Sequence, residues 1–123
     1  MIKFSIMALS LLAATQAQAQ SIDLTQVVKT QKQNPMRFES EYKGRGIGGV
    51  GVLKSMREEV WGDGWVVMFD GYVYPIECTF NLYDSTKLLD KDIGDDVPFF
   101  GEIYGIGGFM EDNIQLVNCT VTE

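Results

Sequence analysis

The sequence predicts a mainly β fold, with five strands closing into a small barrel, a helix ahead of them and a short helix between the third and fourth. Three observations carry that expectation. Apolar, β-branched and aromatic runs recur from residue 45 onward, separated by Gly, Pro, Asn and Asp. Helical spacing of apolar residues is confined to short stretches, chiefly the one just ahead of the strands. The 123 residues, 46% hydrophobic and 22% charged, suffice for one small core and not for two.

Each element has a local cause. In Ser21–Gln33, Leu24, Val27 and Val28 follow the i, i+3, i+4 rule of an amphipathic helix, and Asn34-Pro35 breaks it. Met36–Tyr42 has no clear period. Arg45–Met56 is a first strand whose Gly residues suit a bent strand or a close backbone approach. Trp65–Asp70 is a dense β-forming run that Gly71 turns. Tyr72–Phe80 alternates Tyr72, Tyr74, Ile76, Cys78 and Phe80 on one face, with Pro75 as an edge or bulge signal. Asp84–Asp90 is a short helix capped by Asp84 or Ser85. Val97–Tyr104 and Asn113–Thr122 are the last two strands, the latter with Ile114, Leu116, Asn118 and Thr120 alternating against Gln115, Val117, Cys119 and Val121. Five such strands with a helix between the third and fourth fit an OB-type barrel, in which the third and fifth strands meet at closure.

The first residues read as an address. Lys3 precedes the apolar run Phe4–Ala14, and Ala17-Gln18-Ala19 supplies a signal-peptidase site. Residues 1–19 are therefore expected to be a cleaved signal peptide, 20–34 an N-terminal helical segment and 35–123 the barrel domain. The apolar run is too short to span a membrane, and no Cys near the cut offers a lipid anchor. A periplasmic or secreted protein is expected. Two cysteines in an exported chain favour a Cys78–Cys119 disulfide, and the OB topology would make them neighbours. The loop so closed is long, so the bridge would contribute ~4–5 kcal/mol by chain entropy.

Composition narrows the function. With no His, catalysis and metal sites built on imidazole are absent. The net charge of -7 counts against a protein that tracks phosphates, although Lys43, Arg45, Lys54 and Arg57 cluster around the first strand. Gly44–Gly49 matches GxGxxG, but a strand rather than a helix follows it, so it reads as barrel bending and not as a dinucleotide site. Asp90–Asp96 resembles a calcium loop, yet Gly is misplaced and position 12 is Gly101, so it reads as a solvated acidic turn. No Ser sits in a nucleophile elbow. Neither a cofactor, a metal nor an enzymatic activity is expected.

Four segments resemble one family. Asn34–Met56 (NPMRFESEYKGRGIGGVGVLKSM), Ile76–Phe80 (IECTF), Gly94–Gly105 (GDDVPFFGEIYG) and Ile114–Val121 (IQLVNCTV) are similar, in order and spacing, to the tRNA_anti-like proteins. These are small bacterial OB-fold proteins whose name records a fold likeness to anticodon-binding domains. The resemblance spans about residues 34–121 and implies a binding module without an assigned ligand.

Aromatic residues supply the candidate site. OB folds bind on strands two and three and with the loops joining strands one to two and four to five. Trp61 falls in the first of those loops, Phe109 in the second, Trp65 opens strand two, and Tyr72 and Tyr74 fall on strand three; the two tyrosines could equally face the core. A protein partner in the bacterial envelope is the leading expectation for this set, a glycan the alternative, and single-stranded nucleic acid, against which the charge counts, the third.

Overall fold

Asp23 starts the first helix, α1 (Leu24–Gln33), by accepting from the backbone N–H groups of Thr25 and Gln26 at 3.0 and 3.4 Å. In this computed structural model, residues 22–108 and 110–122 are described; the expected signal peptide and Phe109 lie outside the described residues. Asn34 ends α1 and caps a second helix, α2 (Pro35–Glu41), through a bond from Arg37 N–H at 3.1 Å, with Pro35 at the first helical position. The segment without a clear period is thus helical, and it buries only Phe38.

Five strands follow: β1 (Gly46–Glu58), β2 (Trp65–Asp70), β3 (Ile76–Phe80), β4 (Asp96–Gly107) and β5 (Asn113–Val121). They form a closed barrel in the order β1-β2-β3-β5-β4. All neighbours are antiparallel except β3 and β5, which pair in parallel through Ile76↔Ile114, Glu77↔Gln115 and Cys78↔Leu116. The expected OB-type barrel is what forms. β1 is shared by both halves: Gly46–Val52 pair with β4 and Val52–Glu58 with β2, and an extra residue at Lys54 shifts the register between.

Two boundaries differ from expectation. Gly71, at φ 108°, turns the chain, and Pro75 has no N–H to give a ladder. Strand β3 therefore starts at Ile76, and Tyr72 and Tyr74 lie in the β2–β3 connection instead of on the strand. The helix after β3, α3 (Leu82–Ser85), is capped by Asn81, which accepts from Asp84 N–H at 2.7 Å; neither Asp84 nor Ser85 is the cap. One 3₁₀ turn, Thr86–Leu88, continues it and buries Leu88.

The interior is filled by Leu53, Phe69, Phe80, Phe99, Ile103, Ile114 and Leu116, among others, and Val27, Val28 and Phe38 add the helices to it. Phe69 and Phe99 stack with centroids 4.9 Å apart. A side chain at Gly51 would fall 2.7 Å from the Phe69 Cβ, so these rings fit because β1 has none there.

The alternation expected for β5 fails at one residue. Phe100 pairs with Thr120 and Glu102 with Val117, so Gly101 faces both Asn118 and Cys119. This is a β-bulge. Asn118 takes the left-handed conformation (φ 52°), which Asn tolerates better than most residues. The bulge puts Cys119 and Val121 on the same inward face as Leu116, and leaves Asn118 exposed. Cys119 then meets Cys78 in the core. Both are wholly buried and both are free thiols in this structure.

Two outcomes are expected. At Gly101 a Cβ would fall 2.7 Å from Cys119 Sγ and 3.1 Å from Leu116 Cβ. Gly101→Ala should lower stability by about 1–3 kcal/mol in denaturant unfolding, by overpacking. In the thiol form, burial first and the Cys119 contact second push the Cys78 pKa well above its ordinary 9.0. Above that pH the unfolded chain releases a proton that the folded chain keeps, so stability is full below about pH 9 and falls as pH rises. Unfolding the reduced protein at about pH 8 and about pH 9.5 checks this; equal midpoints would contradict it.

Candidate functional site

The β1–β2 loop is built to hold Trp61 away from the protein. Glu59 N–H donates to the Gly64 carbonyl at 3.0 Å, closing the loop at its base. Gly64 packs so closely under the Phe80 carbonyl that no side chain would fit, and a Cβ at Gly62 would fall 2.6 Å from the Glu59 carboxylate. Between these fixed points Trp61 is 96% exposed and its neighbour Val60 is exposed as well.

Trp61 stands at the edge of a shallow groove of about 280 Å³ on the outside of the barrel. Its wall is made of outward-facing positions: Arg57 on β1, Glu77 and Thr79 on β3, Gln115 and Val117 on β5, and Tyr104 on β4. The parallel register places Glu77 beside Gln115. Glu77 receives Arg57 Nη2 at 3.1 Å on one carboxylate oxygen and Gln115 Nε2 at 3.2 Å on the other. The Glu77 side chain is mostly buried while Arg57 is open to solvent. The groove therefore combines two aromatic rings with a fixed row of planar polar groups.

Trp65, Tyr72 and Tyr74 do not line this groove. Trp65 is half-buried against the core and lines a different hollow, with Met56, Leu82, Leu88 and Leu89 beside α3. Tyr72 lies across β1 and sets its ring edge-on to Phe99 at 6.2 Å. Its pKa is raised above the ordinary 10.0 by burial, against a smaller lowering by the hydrogen bond with the Val50 backbone. Tyr74 is half-buried against the core. Of the expected aromatic residues that the structure describes, Trp61 alone lines this groove, and Tyr104, itself exposed, is a groove residue that sequence reasoning missed. Tyr104 and Gln115 could have been found from strand phase, since each follows a buried strand residue, Ile103 and Ile114; Glu77 lies between buried Ile76 and Cys78 in the same way.

The basic cluster around β1 is largely engaged. Lys43 lies 3.6 Å from Glu39 and 5.1 Å from the Tyr104 ring centre. Arg45 lies over the Tyr42 ring, Lys54 is 3.8 Å from Asp70, and Arg57 holds Glu77. Lys32 on α1 reaches Asp112 beyond β4 at 2.6 Å; that contact, first as a hydrogen bond and then as charge attraction, raises the Lys32 pKa above 10.5. The GxGxxG segment runs into β1 as expected, and its Gly46 and Gly48 lie under the Phe100 ring. The acidic run closes as a turn, Asp92 N–H donating to Asp95 Oδ2 at 2.8 Å. Among the described residues no group of three or more Cys, Asp and Glu is placed to hold a metal ion, and no helix is long and apolar enough to cross a membrane.

No protein-family model matches the chain, and no curated protein matches it. A solved structure does: a lipoprotein of Klebsiella pneumoniae subsp. pneumoniae to which nucleic-acid binding has been provisionally ascribed. It superposes with a TM-score of 0.60 at 16% identity, over 89% of this chain and 97% of that one. At that identity the likeness is one of fold.

The two tryptophans should separate optically. Trp61 should account for the red-shifted emission that a neutral quencher removes, and Trp61→Phe should leave a bluer, less quenchable spectrum from Trp65. A spectrum unchanged by the substitution would mean that Trp61 is covered.

Proposed function

We propose that the protein is an exported, non-catalytic binding module of the tRNA_anti-like OB type, and that the face around Trp61 engages a protein partner in the bacterial envelope. The observation that carries this is the near-complete exposure of Trp61 on a loop pinned at Glu59 and Gly64. A large apolar ring held in water by a closed loop gains little for folding and much on contact, and Trp leads the residue types that dominate protein interfaces. Export rests on the leader sequence, and the compartment is a part of the proposal. The structural neighbour, itself a lipoprotein, is compatible with a protein of the envelope.

Trp61→Ala should weaken capture of the partner about 30-fold or more, the cost of truncating a central interface residue, while leaving the unfolding transition within about 0.5 kcal/mol of the parent, as for other surface changes. The measurement is affinity capture from envelope extract by parent and variant side by side. Equal capture by the two would remove Trp61 from the interface.

A second reading has a specific observation in its favour. The Arg57–Glu77–Gln115 row beside Trp61 and Tyr104 offers planar hydrogen-bonding groups next to rings, which is how sugars are held. A change in Trp61 fluorescence with an oligosaccharide would favour it. The Klebsiella pneumoniae neighbour suggests nucleic acid as the third. Against that stand the net charge of -7 and the engagement of Lys43, Arg45, Lys54 and Arg57 with acidic or aromatic partners; single-strand binding that is absent at low salt would close the matter.

A further inference from the structure

We propose that Cys78 and Cys119 are a disulfide site that is oxidised before the barrel closes and is sealed by closure, so that the bond is made on the incompletely folded chain and kept by the folded one. Geometry supplies the first half. The two thiols come from β3 and β5, the parallel pair that completes the barrel, and they touch there. Their meeting is no accident of alternation. Without the Asn118 bulge, Cys119 would face outward, opposite to Leu116. Without a bare position at Gly101, Cys119 Sγ would have no room. Two separate backbone features thus deliver this sulfur to Cys78.

Burial supplies the second half. Both residues are 0% exposed. Thiol–disulfide exchange needs a thiolate attacking in line on a sulfur, which a covered pair does not permit. Burial also disfavours the Cys78 thiolate. The folded thiol form is therefore a poor substrate for an oxidant, and the folded disulfide form a poor one for a reductant. The oxidant is a dithiol oxidoreductase in its disulfide form, or a small disulfide of the same class. One protein thiolate attacks its disulfide and releases one thiol. The second protein thiolate attacks the resulting mixed disulfide and releases the other. The two protein thiols lose two electrons and two protons in total, and the oxidant's disulfide becomes two thiols. The inference is independent of what Trp61 binds.

The test uses the full chain exported with its own leader, denatured and alkylated without reductant, and read by mass. No alkylation and a Cys78–Cys119 linked peptide are expected; two alkylated cysteines would overturn the site. Sealing is tested on the same protein by timing its reduction by dithiothreitol in native buffer and in denaturant. Reduction should be slower by about a thousandfold or more in native buffer, if exposure needs global opening. In the opposite direction, protein refolded as the thiol should resist oxidised glutathione, whereas the denatured chain should oxidise readily. Similar rates in the two buffers, in either direction, would overturn the order of events.

Discussion

Closure of a narrow barrel around large rings is the constraint on which the rest of the molecule depends. Phe69 and Phe99 stack in its interior, and five strands leave little space for them. The strands give way at chosen points: Gly51 beneath Phe69, and Gly101 above Cys119 and Leu116. Irregularities do the remaining work. The extra residue at Lys54 lets β1 leave β4 for β2, and the bulge at Asn118 brings the end of β5 back into phase with the core. Each departure from regular pairing sits where the closed sheet must bend or refill.

That closure also fixes what the outside can offer. Because β3 and β5 lie side by side in parallel, Glu77 and Gln115 are neighbours. Because β1 reaches past Val52 to pair with β2, Arg57 arrives within reach of Glu77. The loop that follows β1 is tied at Glu59 and Gly64, so Trp61 is presented on a closed loop. A rigid sheet carrying a protruding ring on a short tied loop is suited to recognition, with few ordering costs left to meet on binding.

Much of this was legible in the residues. The Gly-rich first strand, the run from Trp65 to Asp70 and the closing strand from Asn113 were evident from composition and period, and their order with the short helix gave the barrel. What escaped has physical reasons. Met36–Tyr42 buries only Phe38, so it shows no helical period. Asn81 lay just past the end of an apolar strand, hiding its role as a cap. The phase of β5 could not be read, since nothing in NIQLVNCTV distinguishes a bulge at Asn118 from strict alternation. The site suffered from the same limit: Trp61 was found by its place in the β1–β2 loop, while Tyr72 and Tyr74 were misplaced by a strand that begins only after Pro75.

The most direct measurement is site-specific photo-crosslinking in living cells, with a photo-reactive amino acid placed at position 61 and, in a second strain, at position 100 on the β1–β4 side of the barrel. If the face around Trp61 engages a protein, one discrete adduct should appear from position 61 and be absent from position 100. An adduct from position 100 alone, or none from position 61, would contradict the account.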